Sequence, residues 1–504
     1  MRSAPYVPTV DTYGFWPTET GKERSNVSVF DLRQWIAAAE QAGELERVPG
    51  ASADLEIGAA SQLNYRRGRP RALLFEDIPG YRPGRRVLTS SLASPSLMGM
   101  SLGLGPGLGD AELVQALRGR PAAWSAGAVA HAAREVGTGP VFANKLAKDD
   151  INFLDFPSPI WHELDGGRYI GTGCAVVTID PDTGTPNLGA YRIEVQDDGA
   201  AVSVNIESGK HGAQHIARWF EREGRAPIAA SLGHHPVFLM VAGTEVPLGV
   251  SELDYAGAIL GQPVPYVRCP DTGLPVPAES ELAFEGWLYP DRTRPEGPFG
   301  EWTGYYSGGQ APVLTVDVTG LYHRDDPINL GAPPGKPPHD YSYMRSVLKS
   351  AMATDALISA GLPGVAGVWC HEAGGGRSII AVAVEQRYAG HSRQAGYLAA
   401  QHPVTAYMNR LVITVDADVN PRDLSEVMWA VSTRCAPERD IDIMRFTWGS
   451  RVDPLGLPGQ PAYNSRVLID ACRPFERLND FPIVAESSAE VLGRVAERWP
   501  WLVQ

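Results

Sequence analysis

Two glutamates lie five residues apart in a short segment that is rich in glycine, proline and aromatic side chains. They are Glu296 and Glu301, in the stretch 295–306 with the sequence PEGPFGEWTGYY. The glycines and prolines predict a tightly turned loop, and the aromatic residues indicate the wall of a pocket for a flat apolar substrate. A carboxyl group against such a wall can act as a general acid, whereas a neighbouring arginine would keep a second one ionised. The alternative is a buried hairpin whose glutamates accept hydrogen bonds from backbone amides.

Three shorter motifs earlier in the chain carry side chains that could bind a metal ion and an anion. An amide oxygen, a histidine nitrogen and a carboxylate suit a hard or borderline divalent cation such as Mn²⁺ or Mg²⁺. Three such ligands would leave coordination positions that a phosphate could fill. Each residue also has an ordinary structural explanation, as a turn former, a capping or core histidine, or a first-turn carboxylate. The candidates are Asn187 and Arg192 in NLGAYR, Gln214 and His215 in QHI, and Glu252 in GVSE.

The motifs of several common enzyme classes are missing from the sequence. The glycine-rich run 103–109 does not keep the GxGxxG spacing, and the run 373–377, AGGGR, lacks the Lys-Ser/Thr of a P-loop, so we predict a loop and a turn. His162 and His371 each precede a glutamate, but neither has a second histidine four residues on, and no GxSxG occurs. These observations exclude the usual nucleotide-binding, serine hydrolase and zinc protease signatures.

The composition narrows the range of partners. The chain has 504 residues, is 44% hydrophobic and carries a net charge of −14, which argues against nucleic acid or an anionic membrane as partner. Its five cysteines are far apart and form no CxxC pair, which suits a reducing cytoplasm. The N-terminus lacks the apolar core of a signal peptide, and no run of about 18 apolar residues predicts a membrane span. An acidic protein that binds an anionic substrate must therefore build a local positive site.

The elements that must position these residues fall into three parts. Apolar residues recur at helical spacing after Asp31, and two short strands follow them. This pattern predicts an N-terminal α/β domain. Between about 139 and 324, short β-branched runs, among them 175–179 and 237–241, predict a mostly antiparallel sheet or barrel. Alternating helix and strand patterns follow a proline-rich stretch and predict a second α/β domain. The predicted organisation is an extension at 1–25, an N-terminal α/β domain at 26–138, a central domain at 139–328, a linker at 329–339, a C-terminal α/β domain at 340–482 and a terminal helix at 483–504.

The four motifs, in this order and at these separations, resemble those of the UbiD family of prenylated-FMN-dependent (de)carboxylases. The segments 31–33 (DLR), 74–76 (LFE) and 427–434 (VMWAVSTR) are similar to the terminal domains of that family, so the likeness covers about residues 28 to 480. The resemblance implies an α/β (α+β) fold with a central split β-barrel-like flavin-binding domain between two α/β domains. It also implies a homodimer or homohexamer formed through the C-terminal domain.

The resemblance also implies roles for the candidate residues. Asn187, His215 and Glu252 match the ligands of a divalent metal, Mn²⁺ or Mg²⁺, which binds the phosphate of prenylated FMN together with K⁺. Gln214 lies beside that site as a cofactor contact. The family's Glu-Arg-Glu network corresponds to the three residues Arg192, Glu296 and Glu301. In the implied reaction the cofactor is the electron sink, Arg192 orients the substrate carboxylate, and Glu301 protonates the carbon that loses CO₂.

The sequence departs from the family at one point and leaves the substrate open. Some members have a lysine before a late strand that neutralises the flavin phosphate, whereas the run 401–410 has none. Either Lys336 or Lys349 serves instead, or the two metal ions alone neutralise the phosphate. Trp302 and the segment 339–344 with Met344 are expected to line the substrate pocket. The aromatic residues favour an indole-, pyrrole-, phenazine- or hydroxybenzoate-type acid. An arylacrylic acid decarboxylase and a flavin-independent metal-dependent hydrolase are the alternatives, and a flavin prenyltransferase is the expected supplier of the cofactor.

Overall fold

The computed structural model describes residues 30–247, 249–457 and 459–502. The predicted extension, 1–25, lies outside them. Asp31 accepts a hydrogen bond from the backbone N–H of Arg33 and begins the first helix, whose apolar side is buried. The first elements are α1 (Leu32–Gln41), β1 (Leu45–Pro49), α2 (Glu56–Tyr65), β2 (Ala72–Glu76), β3 (Arg86–Thr89), α3 (Pro95–Ser101), α4 (Asp110–Leu117) and α5 (Arg120–Gly127).

The central part of the chain forms one large sheet, which carries most of the candidate site. Its strand order is β6-β9-β10-β15-β14-β11-β7-β8, with β5 beside β15, and its neighbouring strands are antiparallel. Within the described residues the edge strands β6 and β8 do not pair, so the sheet stays open. The elements are β4 (Arg134–Glu135), β5 (Asn144–Ala147), β6 (Tyr169–Gly171), β7 (Ala175–Ile179), β8 (Pro186–Gly189), β9 (Ile193–Gln196), β10 (Ala201–Val204), α6 (His211–Glu223), β11 (Ala226–Leu232), α7 (Pro236–Ala242), α8 (Glu252–Leu260), β12 (Pro265–Arg268), β13 (Pro275–Pro277), β14 (Leu282–Glu296) and β15 (Ala311–His323).

One predicted strand is wrong. Residues 237–241 are helical, as part of α7. The imidazole of His235 accepts a hydrogen bond from the N–H of Val237, and Pro236 occupies the first turn, where its missing N–H costs nothing. A short run of buried apolar residues does not by itself distinguish a strand from a buried helix, and here the capping residues decide for the helix.

The last part of the chain returns to the first sheet and then forms its own. Strand β16 pairs with β3 in parallel and completes the four-stranded sheet β1-β2-β3-β16. A five-stranded sheet with the order β17-β18-β19-β21-β20 follows. The elements are β16 (Ile328–Leu330), α9 (Asp340–Ser359), β17 (Val365–Cys370), β18 (Ile379–Val384), α10 (His391–Gln401), α11 (Pro403–Ala406), β19 (Leu411–Asp416), α12 (Leu424–Arg434), α13 (Pro437–Asp440), β20 (Ile441–Trp448), β21 (Tyr463–Ala471) and α14 (Ala489–Arg498).

Packing ties these parts together around the central sheet. The largest hydrophobic cluster in the described ranges joins α1, α3 and α4 to α7, α8 and α9, and so connects the N-terminal part and the first helix of the C-terminal part to the helices of the central part. A second cluster, with Phe153 and Phe284 in edge-to-face contact, fills the other side of the sheet. No helix in the described ranges is both long and apolar enough to cross a membrane. The architecture confirms the predicted mixed α/β (α+β) fold, and the open central sheet is consistent with the predicted split β-barrel-like domain.

Candidate active site

A single guanidinium connects the two glutamates of the loop. Arg192 precedes β9, Glu296 is the last residue of β14, and Glu301 lies in the loop that follows. Nε and Nη2 of Arg192 donate to the two carboxylate oxygens of Glu296 over 2.6 and 2.9 Å, and Nη1 donates to Oε1 of Glu301 over 2.8 Å. The fork of the arginine therefore binds one carboxylate with two bonds and the other with one. Both glutamates accept hydrogen bonds from this side chain, which the buried-hairpin alternative does not explain.

Glu296 is built to stay ionised. Besides Arg192, it accepts hydrogen bonds from the hydroxyl of Tyr169 over 3.0 Å and from the amide of Asn205 over 2.8 Å. Burial is the largest single influence and would raise its pKa, but the bonds from Arg192, Asn205 and Tyr169 together lower the pKa below its usual value. A buried carboxylate with this many donors is an anchor that fixes the position of the arginine.

Glu301 differs from Glu296 in that its pKa is raised rather than lowered. Its side chain is largely buried and is bonded to Arg192 alone among the described residues, and burial raises its pKa even though the guanidinium opposes the shift. The backbone of the loop is fixed by two bonds, from the N–H of Glu301 to the carbonyl of Tyr305 and from the N–H of Gly304 to the carbonyl of Glu301. A carboxyl group whose pKa is raised by burial and whose position is fixed can act as a general acid.

A third glutamate, Glu194, belongs to the same cluster and was not predicted. It is 5% exposed and accepts a hydrogen bond over 3.2 Å from the N–H of Gly297, next to Glu296. Burial raises its pKa to about 7, and the nearby charge of Glu296 adds to this. The signal was present in the sequence, because residues 192 and 194 alternate within the β-branched run 191–195, and alternate side chains of a strand lie on the same face.

The titration of Glu194 makes a prediction for stability. The folded chain holds a proton that the unfolded chain has already lost, so this residue lowers stability as the pH rises from about 4.5 to about 7. Glu194→Gln keeps an acceptor for Gly297 and removes the ionisation. We expect the variant to be more stable than the wild type at pH 8, by on the order of 1 kcal/mol after solvent screening, and equal to it at pH 4. Thermal unfolding across this pH range tests the prediction, and a constant difference would contradict it.

The predicted metal ligands come from three elements that meet beside β7 and β8. The hydroxyl of Thr178, on β7, lies 3.1 Å from Nδ1 of His215 and accepts a hydrogen bond from the amide of Asn187 over 3.5 Å. Glu252 begins α8 behind its cap Ser251 and accepts a hydrogen bond from the N–H of Leu188 over 2.9 Å. The structure therefore brings the three predicted residues to one buried region, although they are far apart in the sequence.

The donor chemistry of this region fits a divalent cation. Counted by His, Cys, Asp and Glu alone, the described residues contain no group of three that could hold a metal, so the predicted set depends on the amide oxygen of Asn187. Nδ1 of His215 is engaged by Thr178, which leaves Nε2 for a metal. Gln214 has an exposed side chain whose amide donates to the carbonyl of Gly209 over 3.4 Å. Its predicted contact with a cofactor remains a prediction.

A cavity of about 420 Å³ opens between these two groups of residues. Arg192 and Glu301 lie on one part of its wall, and Asn187 and Glu252 on another. A second cavity of about 1030 Å³ adjoins it and shares part of the wall. The aromatic side chains of the first cavity are Tyr191, Phe299, Trp302, Tyr341 and Tyr407.

The predicted pocket residues are only partly on this wall. Trp302 lines the cavity as expected. Met344 is fully buried in the core and is not among the described residues that line the cavity, because it faces inward from α9, whereas Tyr341 and Arg345 of the same helix line the cavity. Lys349 lines only the adjoining cavity, with its ammonium donating to the carbonyl of Val404 over 2.8 Å.

Comparisons with known proteins agree with this description of the fold. Models of the three 3-octaprenyl-4-hydroxybenzoate carboxy-lyase domains match the chain: the N-terminal domain at 36–117, the Rift-related domain at 134–337 and the C-terminal domain at 342–471. The chain is 33% identical to a pyrrole-2-carboxylic acid decarboxylase of Pseudomonas aeruginosa over 82% of this chain and 85% of that protein. It is 31% identical to a phenolic acid decarboxylase of Streptomyces sp. strain D7 over 93% and 99% of the two chains.

A solved structure agrees with the sequence matches. The UbiD-class enzyme HmfF from Pelotomaculum thermopropionicum, in complex with FMN, superposes with a TM-score of 0.79 at 28% identity, over 91% of this chain and 98% of that one. Fold and relatives together define a carboxy-lyase of the decarboxylase class. The chain belongs to the UbiD family.

Proposed function

We propose that this chain catalyses the reversible, non-oxidative decarboxylation of an aromatic or heteroaromatic carboxylic acid with prenylated FMN as cofactor. The observation that carries the proposal is the hydrogen-bonded unit of Arg192 with an ionised Glu296 on one side and a Glu301 of raised pKa on the other. This unit lies on the wall of an aromatic cavity, next to the predicted metal ligands. A decarboxylase needs both an anion-binding group and a proton donor, and the unit supplies the two within one network.

The geometry supports a separate role for each residue of this unit. Arg192 is held by Glu296 and faces the cavity with a fixed fork, so it can bind the substrate carboxylate and orient the bond that breaks. When CO₂ leaves, the electron pair of that bond stays on the ring carbon. Glu301 then gives its proton to this carbon and becomes the carboxylate that Arg192 stabilises. Prenylated FMN supplies the electron sink for the carbon that loses CO₂.

The surroundings of the cavity fit the proposed cofactor. Asn187, His215 and Glu252 would hold Mn²⁺ or Mg²⁺, which would bind the cofactor's phosphate, with K⁺ as a further counter-ion. The aromatic wall would cover a flat ring system and exclude water from it. The complex of HmfF with FMN supports a flavin as the cofactor of this chain.

The same wall supports the proposed substrate class. Trp302 directly follows the proposed acid in the chain and lines the cavity beside Tyr341 and Tyr407. Stacking on such side chains favours a planar ring over a short aliphatic acid. The names of the pyrrole-2-carboxylic acid and phenolic acid decarboxylases support a heteroaromatic or aromatic acid. The prenyltransferase as cofactor supplier and a homo-oligomeric assembly remain parts of this proposal.

The experiment that tests the function is production of the protein together with a flavin prenyltransferase. We expect a bound flavin in the visible spectrum and CO₂ release from at least one acid of a panel of pyrrole-, indole-, phenazine-, hydroxybenzoic and arylacrylic acids. Protein produced without the prenyltransferase is the control and should release none. A colourless protein that hydrolyses esters or amides with a divalent metal alone would contradict the proposal.

A further inference from the structure

Two arginines on the cavity wall are not fully used by the protein. Arg345, on α9, and Arg377, in the loop before β18, both line the two adjoining cavities. Nε and Nη1 of each are buried without a hydrogen-bond partner in the described part of the chain. Arg377 is 6% exposed as a whole residue. Four buried N–H-bearing nitrogens without an acceptor are costly, because each guanidinium N–H has lost its water.

The charge around these arginines is also unbalanced. Nη2 of Arg377 donates to Glu245 over 2.9 Å, and the ammonium of Lys349 lies 3.7 Å from the same carboxylate. Burial lowers the pKa of Arg345 to about 10 and that of Lys349 to about 8, and the charge of Arg377 contributes in each case. Three cationic side chains thus surround one carboxylate. In a chain with a net charge of −14, this is a local excess of positive charge at the cavity.

The backbone holds the two arginines close together. Gly376 has a φ of +69°, and a Cβ there would lie 2.6 Å from the backbone N of Ser346, so only glycine lets this loop pack against α9 next to Arg345. Both guanidinium carbons lie 5.9 Å from the ring centre of Trp302, the residue after the proposed acid. The pair is therefore a fixed part of the cavity wall rather than a mobile surface charge.

We propose that Arg345 and Arg377 form an anion subsite that binds a carboxylate or phosphate group of a molecule in the cavity. This inference rests on the proposed function for the two possible sources of that group. One source is the phosphate of the cofactor. The run 401–410 contains no lysine that could neutralise this phosphate. The other is a second carboxylate on the aromatic substrate. Either oxyanion would accept the hydrogen bonds that the protein leaves unmade.

The first experiment tests the subsite without any cofactor. Inorganic phosphate is titrated into metal-free protein by calorimetry. We expect one binding site in the wild type and an affinity roughly tenfold or more lower in Arg345→Gln, since a hydrogen bond to a charged group contributes at least that factor. Arg268→Gln, which removes an exposed arginine paired with Glu135, is the matched control and should bind like the wild type.

The remaining arms distinguish the two sources. If the anion is the cofactor's phosphate, Arg345→Gln weakens FMN about tenfold or more in a fluorescence titration and changes riboflavin less than twofold. If it is a second substrate carboxylate, the variant loses affinity for benzene-1,3-dicarboxylate but not for benzoate in FMN-loaded protein. Arg345→Lys keeps the positive charge but loses the planar guanidinium, so its affinities should lie between those of the wild type and of Arg345→Gln. It replaces the glutamine variant if that variant does not fold.

The outcomes separate this inference from the proposed function. Absence of phosphate binding in the wild type, or equal binding in the wild type and the Arg345 variants, would overturn the subsite. The subsite would also be overturned if two affinity ratios were the same in the wild type and in all variants. These are the ratio of FMN to riboflavin affinity and the ratio of dicarboxylate to monocarboxylate affinity. Phosphate binding that depends on Arg345 in a protein that releases no CO₂ with prenylated FMN would instead refute the proposed function and leave the subsite in place.

Discussion

Glu301→Gln is expected to lower the rate of decarboxylation by about 10²- to 10⁴-fold, the usual contribution of a general acid. The amide oxygen of the glutamine can still accept the hydrogen bond that Nη1 of Arg192 now donates over 2.8 Å. The shape of the loop and the position of the arginine should therefore persist, and only the proton is lost. Flavin affinity and the unfolding temperature are expected to stay close to those of the wild type.

The pH profile of the wild type follows from the same residue. Burial raises the pKa of Glu301, and the acid works only while it is protonated, so activity should fall as the pH rises through that pKa. Glu221→Gln is the matched control, because this substitution makes the same chemical change at an exposed position of α6, away from the cavity. A Glu301→Gln enzyme within about threefold of the wild-type rate would remove the residue from the mechanism.

The second large effect is expected at Arg192. Its fork donates three hydrogen bonds to two carboxylates, and a lysine ammonium cannot reproduce this planar pattern. Arg192→Lys should lose at least about 10² in kcat/KM, with a higher KM because substrate orientation is lost as well. The pKa of Glu296 should rise, since the bond from Arg192 is the largest influence that lowers it. Steady-state kinetics over an acid panel measures the first effect.

A double variant separates the structural part of this role from the chemical part. Arg192→Met leaves Glu296, which is 1% exposed, without its ion partner, and breaking a buried pair costs about 3–5 kcal/mol. Removing both charges in Arg192→Met/Glu296→Gln should recover most of that loss, because no buried charge remains unpaired. The double variant is expected to unfold near the wild-type temperature and to remain inactive. Recovery of activity together with stability would show that the arginine only supports the fold.

The sequence motifs indicated a candidate site because its residue types are concentrated in short segments. Arg192, Glu296 and Glu301 come from two such segments, and the structure joins them across separations of 104 and 109 residues. No local pattern predicts which of the charged residues meet over such distances, since strand order and register decide this. The meeting was expected only from the resemblance to a family, and the hydrogen bonds that set each pKa needed the structure.

Other residues of the site were missed for the same reason, because their contacts join segments that are far apart in the chain. Tyr169, on β6, and Asn205, directly after β10, donate hydrogen bonds to Glu296, and neither stands in a recognisable motif. Arg377 lies in a glycine-rich run that predicts an ordinary turn, and its role depends on how closely that turn packs against α9. The helix at 236–242 was missed because its apolar run was shorter than a typical periodic pattern.

The most direct test of Glu301 as the proton donor is decarboxylation in D₂O by enzyme loaded with prenylated FMN. We predict that the product carries one deuterium at the carbon that held the carboxylate, and that Glu301→Gln forms this product at least about 10²-fold more slowly while it keeps its flavin. Deuterated product formed at the same rate by Glu301→Gln, or no CO₂ release by the loaded wild type from any acid of the panel, would contradict this prediction.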